Sequence, residues 1–177
     1  MSQVRQVVVL LALLLASMFA CAQELPAGWR QALPSEVEDE ARQDSPTRYT
    51  KAEGDFNGDG ISDIAHVLKS TRFSGEALWV WLSEPSGGHR WIQIEQIKWP
   101  KEYSSVGLAM AIATQEPGVV TYACFDSARE CDFRPPKGRP KLKLRDTSLV
   151  YFKPESAASL YFWSNKHSRF LRVWLSD

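Results

Sequence analysis

The chain has 177 residues, with 21 lysines and arginines against 21 aspartates and glutamates. That length suits one domain with a short additional arm. At 24% charged and 44% hydrophobic it has the composition of a globular protein, not a disordered one, and its neutral balance argues against nucleic acid as a partner, which draws a basic excess.

Residues 1–22 read as an export signal. Arg5 supplies a positive start, and Val7–Ala16 is an unbroken apolar run. The run is shorter than the roughly 20 residues a bilayer-spanning helix needs, which fits a signal peptide. Ala20 and Ala22 are small residues at positions −3 and −1 of a cleavage site before Gln23. A second reading makes Cys21 the lipidated first residue of an envelope lipoprotein, through a loose Met18-Phe19-Ala20-Cys21 lipobox. Membrane contact is then expected only through that anchor. Both readings place the protein in the bacterial envelope, periplasmic or secreted in the first case. Cleavage after residue 22 removes one base and no acid, leaving the remainder, 23–177, with one more acid than base.

Next comes a predicted short helix. Ser35 and Glu38 match a capping box. Acids at 36, 38, 39 and 40 suit the positive end of a helix dipole. Leu33, Val37 and Ala41 form a narrow apolar stripe, and Ser45-Pro46 ends the segment. The acidic cluster reads as a solvated face.

The stretch Glu53–Ala65 carries the clearest chemistry. Asp55, Asn57, Asp59 and Asp63 stand at positions 1, 3, 5 and 9 of an Asp-x-Asn-x-Asp-Gly-x-x-Asp loop. Alternate side chains of a tight loop offer oxygen ligands, and the Ile61 carbonyl at position 7 completes the set. Gly58 and Gly60 permit the sharp bends. Three carboxylates this close repel one another without a cation. An all-oxygen set with no neighbouring Cys or His points to calcium, not zinc. Position 12 is His66, where an EF-hand needs Glu, so the expected site is loop–strand. The segment Gly54-Asp-Phe-Asn-Gly-Asp-Gly-Ile-Ser-Asp-Ile-Ala65 resembles the calcium loop of FG-GAP/VCBS repeats, known from integrin-type β-propellers. The resemblance implies that Asp55, Asn57, Asp59, Asp63 and the backbone of Ile61 hold the ion. It covers about a dozen residues in a single copy, and a propeller needs at least about four blades. A complete propeller is therefore not expected.

The remainder reads as strands. Predicted segments are Ile64–Lys69, Glu76–Leu82, the alternating run from Trp91, the Leu108–Ile112 region, Val119–Phe125, Leu142–Leu144 and Leu149–Phe152. Ser159–Trp163 and Phe170–Leu175 flank a polar stretch and predict a hairpin. The expected fold is mainly β: an antiparallel β-rich domain over 23–177 with one short N-terminal helix.

Without Cys21, Cys124 and Cys131 remain, with six residues between them. In an oxidising compartment a pair reads as a disulfide, and closing this loop contributes about 2.5 kcal/mol at most. The domain keeps its tryptophans, among them Trp79 and Trp81 on one face of a strand, with Trp91, Trp99, Trp163 and Trp174. They suggest either core or a stacking surface for a glycan or protein, and the apolar Leu78, Val80 and Leu82 on the other face favour burial. From Arg134 to Arg145 there are six bases and no acid. Lys141, Lys143 and Arg145 share one face of a strand and suit either an acidic partner or the protection of an edge strand. His66, His89 and His167 are scattered, and no nucleophile or zinc-hydrolase motif is present. The expected function is a non-enzymatic, calcium-binding envelope module with a protein partner. The alternatives are a periplasmic inhibitor or immunity protein against a toxin or peptidoglycan hydrolase, and a hydrolase assembled from scattered carboxylates.

Overall fold

A computed structural model describes residues 23–103, 107–124, 131–133, 140–156 and 158–175. Residues 1–22, read above as an export signal and including Cys21, and the bases Arg134, Lys137 and Arg139 lie outside the described residues.

The first sheet contains β1 (Trp29–Arg30), β2 (Lys51–Gly54), β3 (Asp63–Ser70), β4 (Gly75–Ser83) and β5 (His89–Lys98). Strands β1 and β2 both pair with β3, at Ser70 and Lys69 and from His66 to Asp63 respectively. Strand β4 lies between β3 and β5, as its apolar residues on both faces predict. The second sheet runs β11 (Arg169–Leu175), β10 (Ala158–Ser164), β9 (Ser148–Phe152), β6 (Ala111–Gln115). A smaller pair joins β7 (Gly118–Thr121) to β8 (Lys141–Leu144). All the pairings are antiparallel. The mainly-β antiparallel expectation holds, and among the described residues there is no closed propeller.

The strands build two cores. Phe56, Val67, Leu78, Val80 and Leu82 of the first half meet Leu108, Ile112, Leu149, Tyr151, Tyr161 and Phe170 of the second. The far face of the second sheet carries Leu160 and Val173, which pack with Tyr122, Cys131 and Leu144 around the β7–β8 pair. Strands β9 to β11 are therefore covered on both faces, which is why they read as nearly continuous apolar runs. The Cys124–Cys131 disulfide, with Cα atoms 6.0 Å apart, sits at this second core. The sheets are stitched where the Ile112 N–H donates to the Tyr49 carbonyl at 2.9 Å.

The predicted helix near residue 35 does not form. Two short 3-10 turns, Pro34–Glu36 and Glu40–Arg42, stand in its place. The capping carboxylate is Glu36, which accepts the Leu33 N–H at 2.8 Å and binds Arg30 through both oxygens at 2.7 and 2.8 Å. Val37 then leaves helical geometry (φ −131°), and Asp39 is extended (ψ 133°) and starts the second turn. Tertiary demand explains the break. Arg42 is drawn fully into the interior, where it donates to the carbonyls of Leu108, Met110 and Arg48. A regular helix would not satisfy those partners.

Trp79 and Trp81 are corrected as well. They are half-buried and stand outside the main core, on the opposite face of β4 from Leu78, Val80 and Leu82. There they form an outer aromatic layer with Trp29 (5.7 Å from Trp79) and Trp91 (4.9 Å from Trp81). The segment before β1 crosses this layer, since the Trp91 indole N–H donates to the Glu24 carbonyl at 2.8 Å.

His66 lies beside Trp91 in the same layer and is 5% exposed. Its Nε2 has no hydrogen-bond partner, and burial, reinforced by Lys51, lowers its pKa to about 4. The folded pKa lies below the unfolded value of about 6.5. The unfolded chain therefore binds the proton first as pH falls, and stability drops through that window. The expected loss from His66 is about 2 kcal/mol at pH 5 relative to pH 7. Urea titrations at the two pH values should show it, and His66→Leu should remove most of the difference. An equal pH response in both proteins would refute this account.

Candidate functional site

The Asp-rich segment forms the connection between β2 and β3, closed where Gly54 pairs with Asp63. Asp55 organises the turn. Its Oδ1 accepts the N–H groups of Gly58 (2.8 Å) and Asp59 (3.1 Å), and its Oδ2 accepts that of Gly60 (2.8 Å). Asn57 Oδ1 accepts the Asp59 N–H at 3.0 Å, and Asp59 Oδ1 accepts the Ile61 N–H at 2.9 Å. The Asn57 amide also donates to Asp59 Oδ2 at 3.0 Å. Each side chain thus reaches forward to the backbone that follows it, the local bonding that makes Asp and Asn good turn residues. The chain can bend this tightly because Gly58 (φ 75°) and Gly60 (φ 84°) take left-handed conformations.

Two residues fasten the loop to the body. Phe56 is fully buried in the main core. Asp63 is fully buried too, with Oδ2 accepting the Phe56 N–H at 2.9 Å and Oδ1 the Ser83 N–H at 2.8 Å. Burial pushes the Asp63 carboxyl up, with the charges of Asp59 and Asp55 adding to the effect and the two N–H groups opposing it.

A fourth carboxylate, missed in the sequence, meets the loop from the second sheet's side. A Cβ placed on Gly58 would lie 2.7 Å from the Asp146 carboxylate, and one on Gly54 would lie 2.9 Å from Thr147 Cγ2. The loop therefore docks on the β8–β9 connection closely enough that a methyl group would have to displace these side chains. Asp146 is about ninety residues from the motif, so no local pattern could have announced it.

Gly58→Ala is expected to destabilise the protein more than Gly60→Ala, as a comparison of thermal melts would read. Both force alanine to positive φ, at about 1–2 kcal/mol. Only position 58 adds a clash, because nothing lies within 4 Å of a Cβ at Gly60. Equal losses would show that Asp146 does not press on the loop.

The donor set suits a hard cation: carboxylates at 55, 59 and 63, the Asn57 amide oxygen and the Ile61 carbonyl. Hydrogen bonds to backbone N–H groups leave carboxylate lone pairs available. Among the described residues, no three His, Cys, Asp or Glu side chains converge on a common point. Asp63 is turned toward Phe56 and Ser83. Ion binding would draw on the mixed set rather than on a ready-made acidic cage.

The other candidate residues fall elsewhere. Lys141, Lys143 and Arg145 are exposed at or just after β8, which has a paired neighbour, β7, on one side. Their solvation suits edge protection. The sequence also gave no sign of a buried cluster around Glu76, apart from a lone carboxylate inside an apolar strand. Glu76 is 1% exposed and accepts the N–H groups of Ala109 (3.0 Å) and Met110 (2.8 Å). A second cluster spans the sheets, where the Tyr161 hydroxyl donates to Glu95 at 2.8 Å and Arg172 lies 3.3 Å from the same carboxylate. Tyr161 titrates well above the usual tyrosine range because of burial, with the Glu95 charge next. These groups bridge β5 to the second sheet.

Compared with known proteins, the chain matches no family model, no curated protein and no solved structure. The resemblance of the Asp55–Asp63 segment therefore remains a local one.

Proposed function

We propose that this chain is an exported, non-enzymatic module of the bacterial cell envelope that binds one structural calcium ion and holds a protein partner. The observation that carries the reading is the Asp55–Asp63 loop. Its oxygen-bearing side chains are ordered by their own backbone bonds, with Phe56 anchoring it in the core and Asp146 pressed against it. Asp55, Asn57, Asp59, Asp63 and the Ile61 carbonyl would hold the ion. Calcium would offset the mutual repulsion of the loop carboxylates and stiffen the joint between the two sheets. The apolar N-terminal run and the Cys124–Cys131 bridge support an oxidising, extracytoplasmic setting.

Isothermal titration of the purified exported protein with calcium tests the reading. One ion per chain is expected, and the heat should vanish in the Asp55→Ala/Asp59→Ala double variant. A native protein that gives no saturable heat would sink the calcium claim.

A further inference from the structure

A groove of about 760 Å³ lies between the two 3-10 turns and the far end of β5. Its wall is mainly apolar, built from Trp99, Tyr103, Leu108 and Pro154. Tyr103 is 55% exposed, one of the few large hydrophobic residues the described surface leaves open to water. The rim beside it is acidic. Glu38 and Asp39 line the groove and are exposed, and Lys153 is the one cation among the described lining residues. Glu36, also at the rim, already has its charge held by Arg30 at 2.7 Å and Lys69 at 3.4 Å. The floor is rigid, because the Leu108 N–H donates to the Glu36 carbonyl at 2.7 Å and Gly107 leaves no space above that carbonyl for a Cβ.

We propose that this groove is the partner-binding surface and that its occupant is an extended, proline-containing, cationic segment of a protein. Three features select that chemistry. Aromatic and proline walls favour rigid apolar rings, which lose little entropy on docking. Proline's fixed φ holds the segment extended before it docks. Indole and phenol faces attract Arg or Lys, and Glu38 and Asp39 complement the same charge. An acidic or polyanionic partner would meet repulsion at this rim. The inference names the partner class for the module proposed above, but it does not depend on calcium.

The test uses the purified exported protein and a synthetic capped peptide, Pro-Arg-Pro-Pro-Arg-Pro, with a Glu-for-Arg control. Tryptophan fluorescence and calorimetry follow the titration, with calcium and again with chelator. Saturable binding of the basic peptide is expected, with none of the control. Glu38→Lys and Tyr103→Ala alter exposed residues, and each should weaken binding roughly five- to tenfold, with melting temperatures unchanged. No binding at millimolar peptide, or native affinity in both variants, overturns the proposal. Binding that persists under chelator supports the groove even where the calcium titration fails. Calcium heat without peptide binding leaves the ion reading intact and removes the groove.

Discussion

Calcium at a thousandfold excess over its Kd is expected to stabilise the folded protein by about 4 kcal/mol, the linkage value for a ligand that binds only the folded state. For a domain of this size that is a rise in Tm of roughly 8–16 °C. The gain has a physical source in the loop. Asp55 and Asp59 share one tight turn, Asp63 stands where it closes, and Asp146 is added from the β8–β9 connection. The salt bridges among the described residues include none of the four. Only Asp146 is distant in the unfolded chain, so folding without an ion adds its repulsion to that within the loop, and folding with one offsets it. Asp55→Ala plus Asp59→Ala should abolish the calcium-dependent shift in a melting experiment. Asp146→Ala should reduce it, since that carboxylate adds negative potential beside Gly58. A calcium shift of the same size in the double variant would place the ion elsewhere.

Arg42→Ala is expected to cost about 4 kcal/mol. The guanidinium is fully buried, with Nη2 donating to Leu108 (2.7 Å) and Met110 (2.8 Å) and Nη1 to Arg48 (3.1 Å). Burial disfavours its charge, while Glu76 and then Asp39 favour it. Removing it strands three carbonyls and withdraws a cation that, after Lys69, favours the charge of the buried Glu76 carboxylate. Arg42 and Glu76 also grip the same stretch, one through the Met110 carbonyl and the other through its N–H. The damage should therefore spread along 107–111, the approach to β6. Denaturant unfolding would measure the loss, and amide exchange at Met110 would locate it. Arg42→Lys should recover only part, because an ammonium lacks the planar fork that reaches three separate oxygens. A loss below about 1 kcal/mol for Arg42→Ala would mean that solvent replaces those bonds.

The sequence by itself determined the local features. Alternation and β-branched runs predicted most strands to within a few residues, because a strand's period is written in consecutive side chains. The Asp55–Asp63 turn was legible for the same reason, since its hydrogen bonds run over two to seven residues. The cysteine pair, separated by seven positions, was equally local. Tertiary structure decided what depends on distant partners. It replaced a helix at Ser35 with two 3-10 turns, because Glu36 serves Arg30 and Arg42 serves carbonyls more than sixty residues away. It moved Trp79 and Trp81 from the expected core to an outer aromatic layer, because an apolar residue on either face of a central strand looks the same in sequence whichever layer covers it. It brought Asp146 to Gly58 and Trp99 to Glu38, and neither pairing leaves a periodic trace. Local backbone bonding is written residue by residue. The choice of which charged or aromatic side chains share a site comes from how the sheets stack.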